Sequence, residues 1–349
     1  LPSLFNYKCF TILIYQYKIY KGGIMKTKVN LFMFLALMSV IFFLIQCESP
    51  GGGNSINEIY VTNWDGNSIT VYSRTADGDT APLRTIAGAA TGLDNPWGIC
   101  IDRVNNEICL ANNSDVSIRV YSRTADGDIE PLRTIAGAAT GLDGPSGIAV
   151  DSTNNEIFVT NFTGHTITVY SRTADGNTAP LRTIDGAATG LNNPDAISLD
   201  ITNNEIIVIN YSTPSITVYS RTADGNTAPL RTIAGAATGL AVPTGISLDI
   251  TNNEIFVANY GDHTITVYSR TADGNTAPLR TIDGAATGLD NPADIALDAN
   301  NNEIFVTNKV GTSITVYSRT ADGNTAPLRT IAGAATGLNG PYGIYVLIE

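Results

Sequence analysis

Short runs of branched and aromatic residues alternate with clusters of Asn, Asp, Gly and Thr along most of this chain. Read from Pro145, one unit runs PSGIAVDSTNNEIFVTNFTGHTITVYSRTADGNTAPLRTIDGAATGLNN. It holds four runs of β character: GIAVD, NEIFVTN, TITVYS and PLRTI. Ile, Val, Thr, Phe and Tyr dominate them, side chains that fit a pleated, half-buried surface. Asn154-Asn155 separates the first pair, Thr163-Gly164-His165 the second and Ala174-Asp175-Gly176-Asn177 the third. Such residues tolerate positive φ and end strands at low cost. Outside the N-terminal region no segment sustains a 3.6-residue apolar period. Each unit therefore predicts four short strands.

The unit recurs without insertion. SRTADG begins at Ser73, Ser122, Ser171, Ser220, Ser269 and Ser318, each 49 residues after the last. A fixed period of this length marks a stacked or closed array of one supersecondary unit. Residues 56–349 number 294, six whole units. The array opens in mid-unit, with strands expected at Glu58–Asn63, Ser68–Ser73 and Pro82–Ile86, and ends on the missing inner strand, Tyr342–Ile348. Pairing these pieces removes two raw strand edges, whereas a linear solenoid would want atypical capping repeats. The prediction is an all-β, six-bladed β-propeller of 49-residue four-stranded repeats, closed by pairing the C-terminal strand with the N-terminal blade strands.

The segments PSGIAVD, NNEIFVTN and TITVYS resemble the NHL repeat, and Ile59-Tyr60-Val61-Thr62-Asn63 resembles the related YVTN-type propeller repeat. The resemblance covers residues 56–349 and implies a propeller, commonly of six blades. Members of the family range from protein- and RNA-binding modules to lyases and lactonases, so the resemblance leaves function open.

Residues 1–54 lie outside the repeat. Met25-Lys26-Thr27-Lys28 followed by the apolar stretch Leu31 to Ile45 reads as the charged and apolar parts of an export signal, too short for a comfortable membrane span. Leu44-Ile45-Gln46-Cys47 resembles the lipobox of bacterial lipoproteins, with Gln46 standing where Gly, Ala or Ser is usual. The expectation is a signal peptide over 25–46, lipidation at Cys47 and a flexible tether over 47–55; a plain secretory signal or an uncleaved anchor is the alternative. Residues 1–24 read as untranslated sequence, because Lys21-Gly22-Gly23 can be written as a purine-rich ribosome-binding sequence just before Met25. The expected address is the bacterial cell envelope, with the propeller extracytoplasmic and the membrane touched through the lipid only.

Beyond Cys47 the chain carries 15 basic and 32 acidic residues, a net charge of −17, and Lys309 is its only lysine. Such a surface repels phosphate backbones, which argues against a nucleic-acid partner. Cys100 and Cys109 flank one turn, where a cross-strand disulfide and two buried thiols both fit. Repeated polar positions suit turns and strand ends rather than catalysis, which needs unlike groups in unlike environments. Glu58 and its five counterparts, Asn63 and its five, and the Asp series from Asp102 to Asp298 are of this kind. The Thr-Ala-Asp-Gly-Asn loop supplies one carboxylate, too few for calcium, and reads as a turn. His165 and His263 share one loop position two blades apart, too far for a common metal. Gluconolactonase-type propellers, by resemblance, hold a divalent ion with carboxylate and amide ligands in the central channel; no non-repeated Glu of the inner strands supplies that set here. No cofactor, metal ligand or catalytic residue is assigned.

Differences between copies gather at two places. One is the residue after the Pro that opens the inner strand: Trp97, Ser146, Asp195, Thr244, Ala293 and Tyr342. The other is the residue after the repeated Asn: Trp64, Asn113, Phe162, Tyr211, Tyr260 and Lys309. Up-and-down topology brings both to one face and sends the invariant loops to the other. Trp64, Trp97, Phe162, Asp195, Tyr211, Tyr260, Asp294 and Tyr342 are the candidate ligand-binding residues, since aromatic anchors commonly carry binding energy. The function read from this is recognition of an extracellular protein, peptide or glycan by a monomeric propeller. The alternative is a lyase or lactone hydrolase with a metal at the channel mouth.

Overall fold

Each unit folds as one antiparallel sheet because its runs are too short and too β-branched for anything else, and its turns supply the reversals. The computed structural model describes residues 57–348. Met25, the apolar stretch, Cys47 and the tether lie outside the described residues. Within them, 24 strands make six four-stranded sheets, the blades of a propeller. One blade has its inner strand at Pro145–Asp151, its second at Glu156–Asn161, its third at Thr166–Ser171 and its outer strand at Arg182–Ile184. At one end Pro145 pairs with Asn161 and Asn161 with Thr166; at the other Asp151 pairs with Glu156 and Glu156 with Ser171. These are called the upper and lower ends.

Both faces of each sheet are apolar, so a blade needs a neighbour on either side. Ile157 and Val159 pack with Cys109, Val120 and Tyr170, whereas Phe158 packs with Ile206, Val208 and Tyr219 of the following blade. Ile157, Phe158 and Val159 are all 0% exposed. A full burial of this kind contributes about 1.5–3 kcal/mol per side chain. The sheet that joins the ends of the chain has the order Pro341–Ile348, Asn57–Asn63, Ser68–Ser73, Arg84–Ala87. Tyr345 lies opposite Tyr60 and Ile344 opposite Val61.

Polar clamps tie neighbours together. Arg133 grips Glu107 of its own blade with both terminal nitrogens, at 2.7 and 2.8 Å. Arg172 of the next blade reaches back to the same Glu107 at 3.2 Å. Asp102 caps its turn by accepting from the amides of Val104 and Asn105, as the repeated Asp series suggests. Hydrogen bonds to charged groups of this type contribute about 1.5–3 kcal/mol each where they are shielded from water.

Two expectations need correction. The Thr-Ala-Asp-Gly-Asn loop is a turn and also an edge guard. Gly127 bridges in parallel to Ile86 on the outer strand of the preceding blade, and Asp126 accepts from the amide of Thr85. In this copy Asp128 stands where four others have Asn, and it accepts from the Ala90 amide as Asn177 does from Ala139. A covered edge offers no template for another chain, which explains the loop's invariance. The invariant segments are also not confined to the lower end. Gly88-Ala89-Ala90-Thr91-Gly92-Leu93 follows Ala87, which pairs with Ser68 at the upper end. Its Thr91 carbonyl accepts from the Tyr121 hydroxyl, so it too joins blades and cannot drift. Outer strands start at the Arg of PLRTI rather than at its Pro, since proline has no amide to give the ladder. Cys100 and Cys109 face each other in register, both buried and both free thiols. The hydrogen bond with Cys109 and burial push the Cys100 thiol up, which suppresses thiolate chemistry.

Ending the chain after Gly340 removes the partner of Asn57–Asn63 and uncovers Ile59 and Val61. The truncated protein should be insoluble or lose most of its thermal stability. Cooperative melting near the full-length temperature would show that the paired strand is dispensable.

Candidate binding face and central channel

The loop after each second strand starts at the upper end, where its first amide is tied down. Trp64 donates to the Gly340 carbonyl at 2.9 Å, Phe162 to Gly144 at 2.8 Å, and Tyr211 to Asn193 at 3.1 Å. Tyr260 and Lys309 make the same bond, to Val242 and Asn291. These ties fix where the variable side chains begin. Later in the loop one residue adopts positive φ, Asn67 in one blade and His165 or His263 in others. Asn67 Oδ1 accepts from the Asn95 amide at 2.8 Å; His165 Nδ1 accepts from Asn193 and His263 Nδ1 from Asn291, each at 2.8 Å. Both histidines thus fill a structural acceptor position.

Five of the six candidate aromatic side chains, all but Tyr260, touch in a chain. Ring centroids of Trp64 and Trp97 are 4.6 Å apart, Trp97 and Tyr342 4.8 Å, Trp64 and Tyr342 5.9 Å. Phe162 extends the chain of contacts, 5.5 Å from Trp97 and 5.4 Å from Tyr211. Trp64, Trp97, Phe162, Tyr211 and Tyr260 are half-buried, and Tyr342 is only 6% exposed. Lys309 joins them: its Nζ lies 4.8 Å from the Trp64 ring centroid and 5.2 Å from that of Tyr342. Spacing places Lys309 on the variable rim, and it is the only lysine past Cys47, but it is not among the candidate ligand-binding residues.

Two carboxyl groups without sixfold copies sit beneath the rings. Asp195 Oδ1 accepts from the Trp97 indole at 2.8 Å, and the Tyr342 hydroxyl lies 3.4 Å from Oδ2. Burial pushes Asp195 well above the usual carboxylate range, against the pull of those donors. Asp294 replaces the glycine found at Gly98, Gly147, Gly245 and Gly343. It accepts from the amides of Ile295 at 2.9 Å and Ile344 at 3.0 Å. Burial pushes Asp294 up to about 7. Below them runs a cavity of about 350 Å³ lined by all six inner strands, from Trp97 and Tyr342 at the upper end to Arg103 and Ile201 at the lower.

The donor set does not suit a divalent ion. Asp195 and Asp294 spend their oxygens on N–H and O–H donors, and among the described residues no three His, Cys, Asp or Glu side chains gather as ligands. What the arrangement offers is an aromatic surface with one cation set into it and two acids under it.

A family model described as NHL repeat matches residues 240–268, the stretch that carries Thr244-Gly245-Ile246 and the strand Glu254–Asn259. The chain carries an NHL repeat within a β-propeller. A second model, "Lactonase, 7-bladed beta-propeller", matches residues 124–239 of this six-bladed chain. No curated protein matches it. Among solved structures it is similar to a chain in the crystal structure of a nidogen/laminin complex, at 18% identity and TM-score 0.63, over 83% of this chain and 98% of that one. It is also similar to a functionally unknown protein from Desulfotomaculum acetoxidans DSM 771, at 14% identity and TM-score 0.56, over 83% and 99%. At these identities the likeness is one of fold.

Asp294 yields a pH prediction. Its value in the fold is about 7, against 3.8 for an ordinary Asp, so the fold favours the protonated acid. Its stabilising share is whole below about pH 4 and is lost as pH rises through about 7. Asp294→Asn keeps one of the two acceptors and so should melt below wild type near pH 4, but its stability should not fall with pH, so relative to wild type it should gain on the order of 2 kcal/mol between pH 4 and pH 8. Parallel pH–stability curves for the two proteins would refute the burial argument.

Proposed function

We propose that this NHL propeller is a non-enzymatic recognition module, carried outside the bacterial cytoplasm on a lipid at Cys47, that binds a protein, peptide or glycan with its upper face. One observation carries the reading: Trp64, Trp97, Phe162, Tyr211 and Tyr342 form an unbroken chain of ring contacts, drawn from four different blades. Rigid rings lose few rotamers on binding and stack on sugars or apolar side chains. The nidogen/laminin title attached to a propeller of like fold is compatible with a macromolecular partner. Asp195, buried, would support the face from beneath rather than meet the ligand. Anchoring at Cys47 is supported by the residues before it and by the acidic, lysine-poor composition after it.

The lactonase-model match favours a second reading, hydrolysis of a lactone at the channel mouth. It takes second place because the two acids there are already bonded and no metal ligand set accompanies them.

The test is a glycan and peptide array probed with wild type and with Trp64→Ala/Phe162→Ala. These changes spare the Trp97–Asp195 bond, so the fold should survive. The double variant should lose binding at least tenfold, a usual cost for paired aromatic anchors of about 2 kcal/mol or more. Val104→Thr, in an exposed lower turn, should bind as wild type. Unchanged binding by the aromatic variant, or ring opening of a lactone panel by wild type, would defeat the proposal.

A further inference from the structure

We infer that Trp64, Trp97 and Tyr342 form a cage for a quaternary ammonium group, and that Lys309 is a tethered occupant which such a ligand displaces. The inference deepens the recognition reading and rests on it. Lys309 Nζ is within cation–π range of two ring faces, at 4.8 and 5.2 Å. Trp97 stands edge-on to Trp64 at 4.6 Å and closes the wall on the side of Tyr342. Asp195 lies beneath, and its charge and that of Lys309 favour each other. Two ring faces on one cation, a third ring packed against both and a carboxyl group near by are the parts of an ammonium pocket.

The cage suits an ammonium without N–H groups better than the one it holds. Lys309 brings three donors that must keep water or an acceptor while its Nζ lies against the two rings. Partial burial lowers the Lys309 pKa, so the site holds this protonated ammonium at a cost. A trimethylammonium group has no donor to satisfy, keeps its charge at every pH and packs its methyls on the rings. Lys309 can leave by rotation of its four-carbon stem on a picosecond-to-nanosecond timescale. Asp65, exposed beside Trp64, already favours the Lys309 charge and would receive it. The net acidity of the chain draws cations toward the face.

Choline chloride is the probe, followed by intrinsic fluorescence, because both tryptophans of the chain stand in the cage. Wild type should respond saturably to choline but not to ammonium chloride or sodium glucuronate at equal ionic strength. Lys309→Ala removes the competitor and should tighten choline binding about tenfold; adding Trp64→Ala should abolish it. Lys309→Asn, copying the counterpart Asn113, serves if the alanine variant does not fold. A folded Lys309 variant silent to choline, or one that answers ammonium and choline alike, overturns the cage. Array binding that survives in the same protein would show that the recognition face stands without it.

Discussion

A sheet with two apolar faces cannot stand alone in water, and every blade of this protein is such a sheet. The second strand is the extreme case, with Phe158 turned to one neighbour and Ile157 and Val159 to the other, all fully buried. No blade gains that burial until both neighbours are in place. A ring supplies two neighbours to every member and leaves no first or last face. The chain accordingly draws one blade from both its termini, with Ile59 and Val61 packed beside Ile344 and Val346.

The polar parts follow from the same demand. Blades that meet over wide apolar faces are held in register by directional groups at their margins. Glu107 receives an arginine from each of two blades, and the same arrangement recurs at Glu156, Glu205, Glu254 and Glu303. The Asp-Gly loop guards the preceding outer edge, and Tyr hydroxyls hold the upper connections. Positions that join blades cannot vary without loosening the ring. Freedom to diverge is left to side chains that meet solvent or the axis.

The fold was legible because its determinants are local and repeated: strand-forming runs, turn residues and a constant period. The role of the Asp-Gly loop was not, since Asp126 looks like any turn residue until the Thr85 amide of another blade is placed against it. The same holds for His165, whose loop position is plain while its bond to the Asn193 amide is not. At the candidate site the sequence gathers the variable aromatic residues on one face but cannot rank their depth. Tyr342 and Trp97 hold equivalent positions in the repeat, yet Tyr342 is buried and Trp97 half-buried. Depth depends on the five other side chains at the same level, which no single repeat encodes. Lys309 could be placed on the same rim, but its contact with the rings of another blade could not be read.

Sixfold repetition also decides where an asymmetric site can form. Around the circumference, equivalent positions on different blades are far apart and each sees the same invariant neighbours. Toward the axis the blades converge, and unlike residues from non-adjacent units come within contact. Trp97 donates to Asp195, two repeats further along the chain. Lys309 reaches Trp64 and Tyr342 from the neighbouring unit. Substitutions confined to the axial positions can therefore build chemistry without touching the clamps that close the ring. Burying two acids there costs stability, which an array of six extensive apolar interfaces can absorb. The body tolerates an uneven mouth because none of its joints depends on it.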